Sequence, residues 1–182
     1  GVQTLSDWKR RQQQVRETLH ELIGPFPEKT PLNARIVGEV QKKGYRIEKI
    51  IFESMPDLYV TAAMFIPENL NTKNPAILYQ SGHSSQAFRS LGMQTVVLNL
   101  VKKGFIVFSF DPIDQGERLQ YLDKSTGRSR IGGMTSRHSY IGGQCFINGT
   151  SSIKYFIWDG IRAIDYLVSR EEVDPERIEI GR

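Results

Sequence analysis

Chemistry needs polar side chains held against one another, and this sequence offers few sets that qualify. Gly82-His83-Ser84 follows directly on the apolar run Ala76-Ile77-Leu78-Tyr79, so a histidine and a serine stand at the end of a candidate buried strand. Adjacent residues in a turn seldom face each other well enough for Ser–His proton transfer, and no carboxylate nearby is placed to orient the ring. A self-contained triad on His83 and Ser84 is therefore not expected. His138 lies in Arg137-His138-Ser139-Tyr140, within a long segment of little periodicity, and a local hydrogen-bonding role is expected for it. Asp111, Asp114 and Glu117 bring three carboxylates together after a second apolar run. They could in principle serve a paired-carboxylate glycosidase or a calcium site. Turn closure and a salt bridge to Arg118 are the expectation.

Other chemistries find no support. His20, His83 and His138 are the only histidines and are not in metal-ligand spacing, and Cys145 is the single cysteine, so neither a disulfide nor a thiolate zinc cluster can form within the chain. No G-x-x-x-x-G-K-[ST] phosphate loop occurs, and no metal or organic cofactor is expected. Asn148-Gly149-Thr150 matches a glycosylation sequon, a pattern frequent by chance. The net charge of +4 comes from 24 basic and 20 acidic residues spread along the chain, and Lys9-Arg10-Arg11 reads as a solvated helix face. A nucleic-acid partner is not expected. No run approaches the ~20 apolar residues of a membrane span, so no membrane partner is expected either.

The elements that would hold these residues can be read from periodicity. Ser6 and Asp7 suit a helix start, with Trp8, Val15, Leu19 and Leu22 at helical spacing and Gly24-Pro25 as the stop. Residues 25–44 are punctuated by Pro and Gly and are expected to be irregular, which makes 1–44 an N-terminal helix and extension. From Tyr45 the pattern becomes strand-like, and Met55-Pro56-Asp57 joins it to a second strand, Tyr59 to Ile66. Ala76–Tyr79, a helix over Ala87–Lys103 and Phe105–Phe110 then form a strand–helix–strand crossover, hence a parallel sheet. The roughly 40 residues after Asp111 read as a long functional or lid-like loop. A helix marked by Ile157, Ile161, Ile164 and Val168 follows, then a turn at Asp174-Pro175 and a strand from Arg177. The fold class is α/β: an antiparallel hairpin leading into a parallel sheet with helices on both faces, over residues 45–182.

Three segments, in order, carry a resemblance. They are Tyr79-Gln80-Ser81-Gly82-His83-Ser84, then Asp111-Pro112-Ile113-Asp114-Gln115-Gly116-Glu117-Arg118, and then Trp158-Asp159-Gly160-Ile161-Arg162-Ala163-Ile164-Asp165-Tyr166-Leu167 with Glu172-Val173-Asp174-Pro175-Glu176-Arg177-Ile178. The set resembles the acetyl xylan esterase and related carboxylesterase branch of the α/β-hydrolases, over about residues 30–182. The resemblance implies a serine esterase acting on a small-molecule or carbohydrate ester, exported after removal of a signal peptide. Glucuronoyl esterases and prolyl oligopeptidase-type peptidases share the same sheet, and a non-catalytic binding or assembly module is the reading from another class. In the family a G-x-S-x-G elbow, then an acid, then a histidine follow in chain order. No G-x-S-x-G occurs in residues 1–182, so all three are expected beyond Arg182. The resemblance also implies that the glycine loop after the third family strand lends a backbone N–H to the oxyanion hole. His83 is the candidate donor and Ser84 the alternative. The strand at 177–181 would lie mid-sheet in that family, so its edge is expected to be covered by a C-terminal segment or by another copy of the chain.

Overall fold

The structure, a computed structural model, describes residues 1–181. Helix α1 (Leu5–Ile23) begins before the expected cap. Thr4, not Ser6, is the N-cap, and it forms a reciprocal capping box with Asp7. Gly24, at φ +79, ends the helix. No residue of α1 is buried. Its connection to the body runs through the segment behind it, where Phe26 stacks on Trp158 and Lys29 pairs with Asp165 at 2.7 Å.

The segment expected to be irregular contains a strand. Strand β1 (Arg35–Lys42) pairs antiparallel with β2 (Tyr45–Met55) through a turn at Lys43 and Gly44. Strand β1 buries no residue, which is why its side chains carry no alternation to read. Strand β2 then pairs antiparallel with β3 (Leu58–Pro67), as the sequence predicts.

Beyond β3 come β4 (Asn74–Tyr79), a single 3₁₀ turn (Ala87–Arg89), α2 (Leu91–Lys102) and β5 (Ile106–Phe110). The helix expected from Ala87 thus starts only at Leu91. After β5 the long segment expected as loop folds into a small hairpin, β6 (Leu122–Asp123) and β7 (Arg128–Ser129), and a helix, α3 (Met134–Ile147). Helix α4 (Ser152–Val168), capped by Ser151, leads to β8 (Val173–Gly181). The turn expected at Asp174-Pro175 is a bulge inside β8. Val173 faces Asn74 and Ile178 faces Ala76, so five steps of β8 cover two of β4.

The six-stranded sheet has the order β1-β2-β3-β5-β4-β8, antiparallel up to β5 and parallel from β5 to β8. Its two crossovers run in opposite directions, β4 to β5 one way and β5 past β4 to β8 the other. Right-handed crossovers of opposite direction put their helices on opposite faces. Accordingly, Ile77, Val107 and Phe65 pack with Val97 and Val101 of α2, while Leu78, Phe108, Phe52 and Met64 pack with Tyr166 and Leu167 of α4. The crevice beyond the carboxyl ends of β4 and β5, where the winding reverses, is the place α/β sheets reserve for ligands. Strand β8 forms the outer edge among the described residues, with Ile180 60% exposed there.

Candidate active site

Two turns meet in that crevice. The first leaves β4: the Gln80 N–H still bonds the Gly181 carbonyl at 2.9 Å, after which Ser81-Gly82-His83-Ser84 turns away from the sheet. The second, Asp111 to Arg118, leaves β5. They are tied by two hydrogen bonds. The Ser84 N–H donates to Gln115 Oε1 at 2.8 Å, and the Gly116 N–H donates to the Ser85 carbonyl at 3.2 Å. Beside these bonds, the His83 N–H finds no acceptor among the described residues.

The second turn has to be tight, and Asp111 makes it so. Its fully buried carboxylate accepts from Thr61 Oγ1 at 2.6 Å, from Arg89 Nη1 at 2.5 Å and from the Glu117 N–H at 3.1 Å. Gly116 crosses directly over that carboxylate at φ +57, where any Cβ would overlap it. Asp114 is also buried, at φ +66, and accepts from the Gln120 N–H and from Arg137 of α3.

Asp111 and Asp114 therefore serve turn closure, whereas the exposed Glu117 carboxylate only approaches Arg89 Nη2 at 3.6 Å. The expected salt bridge to Arg118 is corrected, however. Arg118 donates to the Asp111 backbone carbonyl at 3.0 Å and pairs with Asp159 of α4 at 2.6 Å, both side chains being almost completely buried. A guanidinium without water at its back is stable only beside a fully desolvated carboxylate, and Asp159 supplies one. The neighbouring Trp158 donates from Nε1 to the Ser54 carbonyl at 2.7 Å, and a Cβ on Gly160 would come within 3.1 Å of Gln80 Nε2. So the helical motif docks α4 against β2 and against the first turn at once.

His138 does make a local hydrogen bond, and it does more. Its Nε2 lies 2.9 Å from the Ile113 carbonyl and its Nδ1 lies 2.9 Å from His83 Nε2. A carbonyl only accepts, so His138 donates from Nε2, which in the neutral tautomer leaves Nδ1 to accept from the His83 ring N–H. The directional chain runs from His83 through His138 to the main chain of the second turn. The edge of Phe156 covers the His138 ring, with centroids 5.4 Å apart. The meeting of His83 with His138, 55 residues apart, was not legible in the sequence, because α3, which carries His138, buries only Gly142 and shows no periodicity. Elsewhere on α3, partial burial pushes the Cys145 thiol above its ordinary value.

Gln80, Ser81, His83, Gln115, His138 and Phe156 line an open cleft of about 420 Å³ at this junction. The Ser81 hydroxyl oxygen is buried without a partner. No group of three His, Cys, Asp or Glu side chains able to hold a metal occurs among the described residues.

A mixed sheet with an antiparallel start, a reversal of winding between β5 and β4, and a glycine turn at the carboxyl end of β4 define part of an α/β-hydrolase fold. The chain belongs to the abhydrolase family Abhydrolase_7, whose model matches residues 2–166. Among solved structures, a protein assigned as an acetyl xylan esterase from Bacteroides fragilis NCTC 9343 superposes with a TM-score of 0.74 at 20% identity, over 96% of this chain and 47% of that one. An acetyl xylan esterase from Paenibacillus sp. R4 gives 0.58 at 17%, over 90% and 55%. A glucuronoyl esterase from Solibacter usitatus gives 0.60 at 13%, over 98% and 53%. The chain thus spans about half the length of the solved structures it resembles. Comparison with curated proteins gives no match.

Proposed function

We propose that this chain forms the oxyanion-loop half of a carboxylic ester hydrolase that deacylates carbohydrate esters, with acetyl as the acyl group. The nucleophilic serine, the acid and the base come from residues beyond Arg182. In this reading the His83 N–H is the oxyanion donor contributed here. One observation carries the choice: the Ser84 N–H is already spent on Gln115, while the His83 N–H next to it is not. A donor held fixed before the reaction stabilises the tetrahedral oxyanion without reorganising, and one such bond is worth about 10²–10³ in rate. Gly82 keeps a side chain out of the approach to that N–H.

The same reading gives the β8 edge a partner. Ile180, Ile157 and Ile153 are exposed beside a groove of about 320 Å³ between α4 and β8, a surface suited to further strand and helix from a C-terminal segment or, failing that, another copy.

The test uses the product of the complete reading frame that encodes this chain. Hydrolysis of p-nitrophenyl acetate and release of acetate from acetylated xylobiose are expected, both abolished by a fluorophosphonate that labels one serine. A product that takes up no fluorophosphonate and hydrolyses neither ester refutes the proposal.

A further inference from the structure

We infer that Gln115 is a substrate-binding residue: its carboxamide locks the glycine turn with one end and offers two N–H donors to the oxygens of an uncharged ester with the other. The inference rests on the esterase reading and adds to it the class of substrate the cleft accepts.

The amide orientation is fixed by its neighbour. An N–H must meet an oxygen, so the 2.8 Å contact from the Ser84 N–H assigns Oε1 to that side and sends Nε2 the other way. Gln115 is only 4% exposed, so its rotamer is held by packing and by the turn around it. Its own N–H bonds the Pro112 carbonyl, and its carbonyl accepts from the Arg118 N–H, each at 3.0 Å. Nε2, by contrast, meets no acceptor among the described residues, and it is not sealed off from solvent as the unpartnered Ser81 hydroxyl is. Gln115 lines the cleft, and so does Ser81. Both N–H donors of this otherwise packed carboxamide are therefore unspent within the protein and open to a ligand oxygen, with no hydrogen bond of the turn to break first. The remaining lining is Gln80 and Gly82 with Phe110, Pro112, Ile153 and Phe156 beside the histidine pair, and no Lys, Arg, Asp or Glu lines it among the described residues. Donors facing an apolar wall fit a neutral molecule rich in acceptor oxygens and carrying a small acyl group. They do not fit a carboxylate, which would bring an unmatched charge into the site.

Two substitutions separate the two ends of the side chain. Gln115→Glu keeps an oxygen for the Ser84 N–H and removes both donors. Gln115→Met, of similar length, removes the acceptor as well. With fully acetylated xylose as probe and the complete reading-frame product as enzyme, Gln115→Glu is expected to lower kcat/KM about 10- to 100-fold, the loss of one or two substrate hydrogen bonds. Hydrogen exchange at the Ser84 amide should stay slow in Gln115→Glu and become fast in Gln115→Met. A purely structural role predicts the opposite split, with Gln115→Glu within twofold of wild type and only Gln115→Met impaired, and that result overturns the inference. Should the wild-type product hydrolyse no ester at all, the esterase reading fails by itself. The same probe titrated into the ¹⁵N-labelled wild-type chain then decides for Gln115. A saturable shift of its side-chain NH₂ resonances upholds the inference, and unmoved resonances overturn it. The titration also decides if Gln115→Glu does not fold.

Discussion

Replacing Gly116 with alanine tests the turn on which the site depends. Two costs add at this position. The first is conformational: at φ +57 an L-residue with a Cβ loses about 1–2 kcal/mol relative to glycine. The second is steric. The new Cβ would lie 2.6 Å from Asp111 Oδ2 and closer still to Cγ and Oδ1. That carboxylate cannot simply swing away, because Thr61, Arg89 and the Glu117 N–H hold it from three directions. Surrendering one charge-assisted bond to a buried carboxylate costs about 1.5–3 kcal/mol. Gly116→Ala should therefore destabilise the chain by about 2.5–5 kcal/mol.

Gly44→Ala is the matched control. Gly44 has φ +89 and nothing within 4 Å of the place its new methyl would occupy, so only the conformational cost of about 1–2 kcal/mol applies. Urea unfolding followed by tryptophan fluorescence suits both variants, since Trp158 is buried against the core. If the two substitutions differ by less than about 1 kcal/mol, the carboxylate beneath Gly116 yields freely and the account of a rigid turn is wrong.

The remaining predictions concern what surrounds that turn. Arg118→Met and Asp159→Asn should each cost about 3–5 kcal/mol, by stranding the buried partner, and the double replacement should cost less than their sum in a urea double-mutant cycle. Trp158→Phe, followed by far-UV circular dichroism because the fluorescent reporter is removed, should cost about 1–3 kcal/mol, since the Ser54 carbonyl loses its 2.7 Å donor. The Glu172 carboxyl feels burial, which pushes it up, but the hydrogen bonds and charge of Arg170 outweigh this and hold it below the usual glutamate range. Its contribution is then complete above the ordinary glutamate value and is lost as pH falls through the depressed one. Thermal melts from neutral to acid pH should show a drop in Tm over that range, which Glu172→Gln flattens. An unchanged profile in the variant would remove Glu172 from the account.

Burial made most of the fold readable, whereas α1, which buries no residue, was legible from its helical spacing and its Gly24-Pro25 stop. Strands β4, β5 and most of β3 stand out as apolar runs because both their faces are covered, and β2 because a half-buried face imposes alternation. Strand β1 satisfies its backbone through β2 while leaving its side chains in water, so pairing left no trace in residue type. Helix α3 buries one glycine and was invisible for the same reason. Charge partners were misread through proximity. Arg118 follows Asp111, Asp114 and Glu117 within one turn of chain, yet its ion pair is with Asp159, 41 residues on, while the equally buried Asp111 and Asp114 are taken by Arg89 and Arg137. Local sequence supplies neighbours, whereas the fold decides which buried charges meet.

The motif residues themselves show what most of the site is for. Asp111 fixes the turn after β5, Gly116 crosses over it, Arg118 ties it to Asp159, and Gly160 leaves room for Gln80 beside it. None of these side chains needs to touch a reacting atom. Each restricts where the Gly82-His83-Ser84 turn can lie, and His138 restricts it again from α3. A backbone N–H cannot be specified by its own residue type, since nearly every residue has one. Its position has to be written in the residues that hold the chain around it, and that is why a recognisable pattern surrounds His83 even though its side chain makes a bond only to His138. A substitution that loosens any of these anchors should then displace the proposed oxyanion donor without removing a single group from the turn.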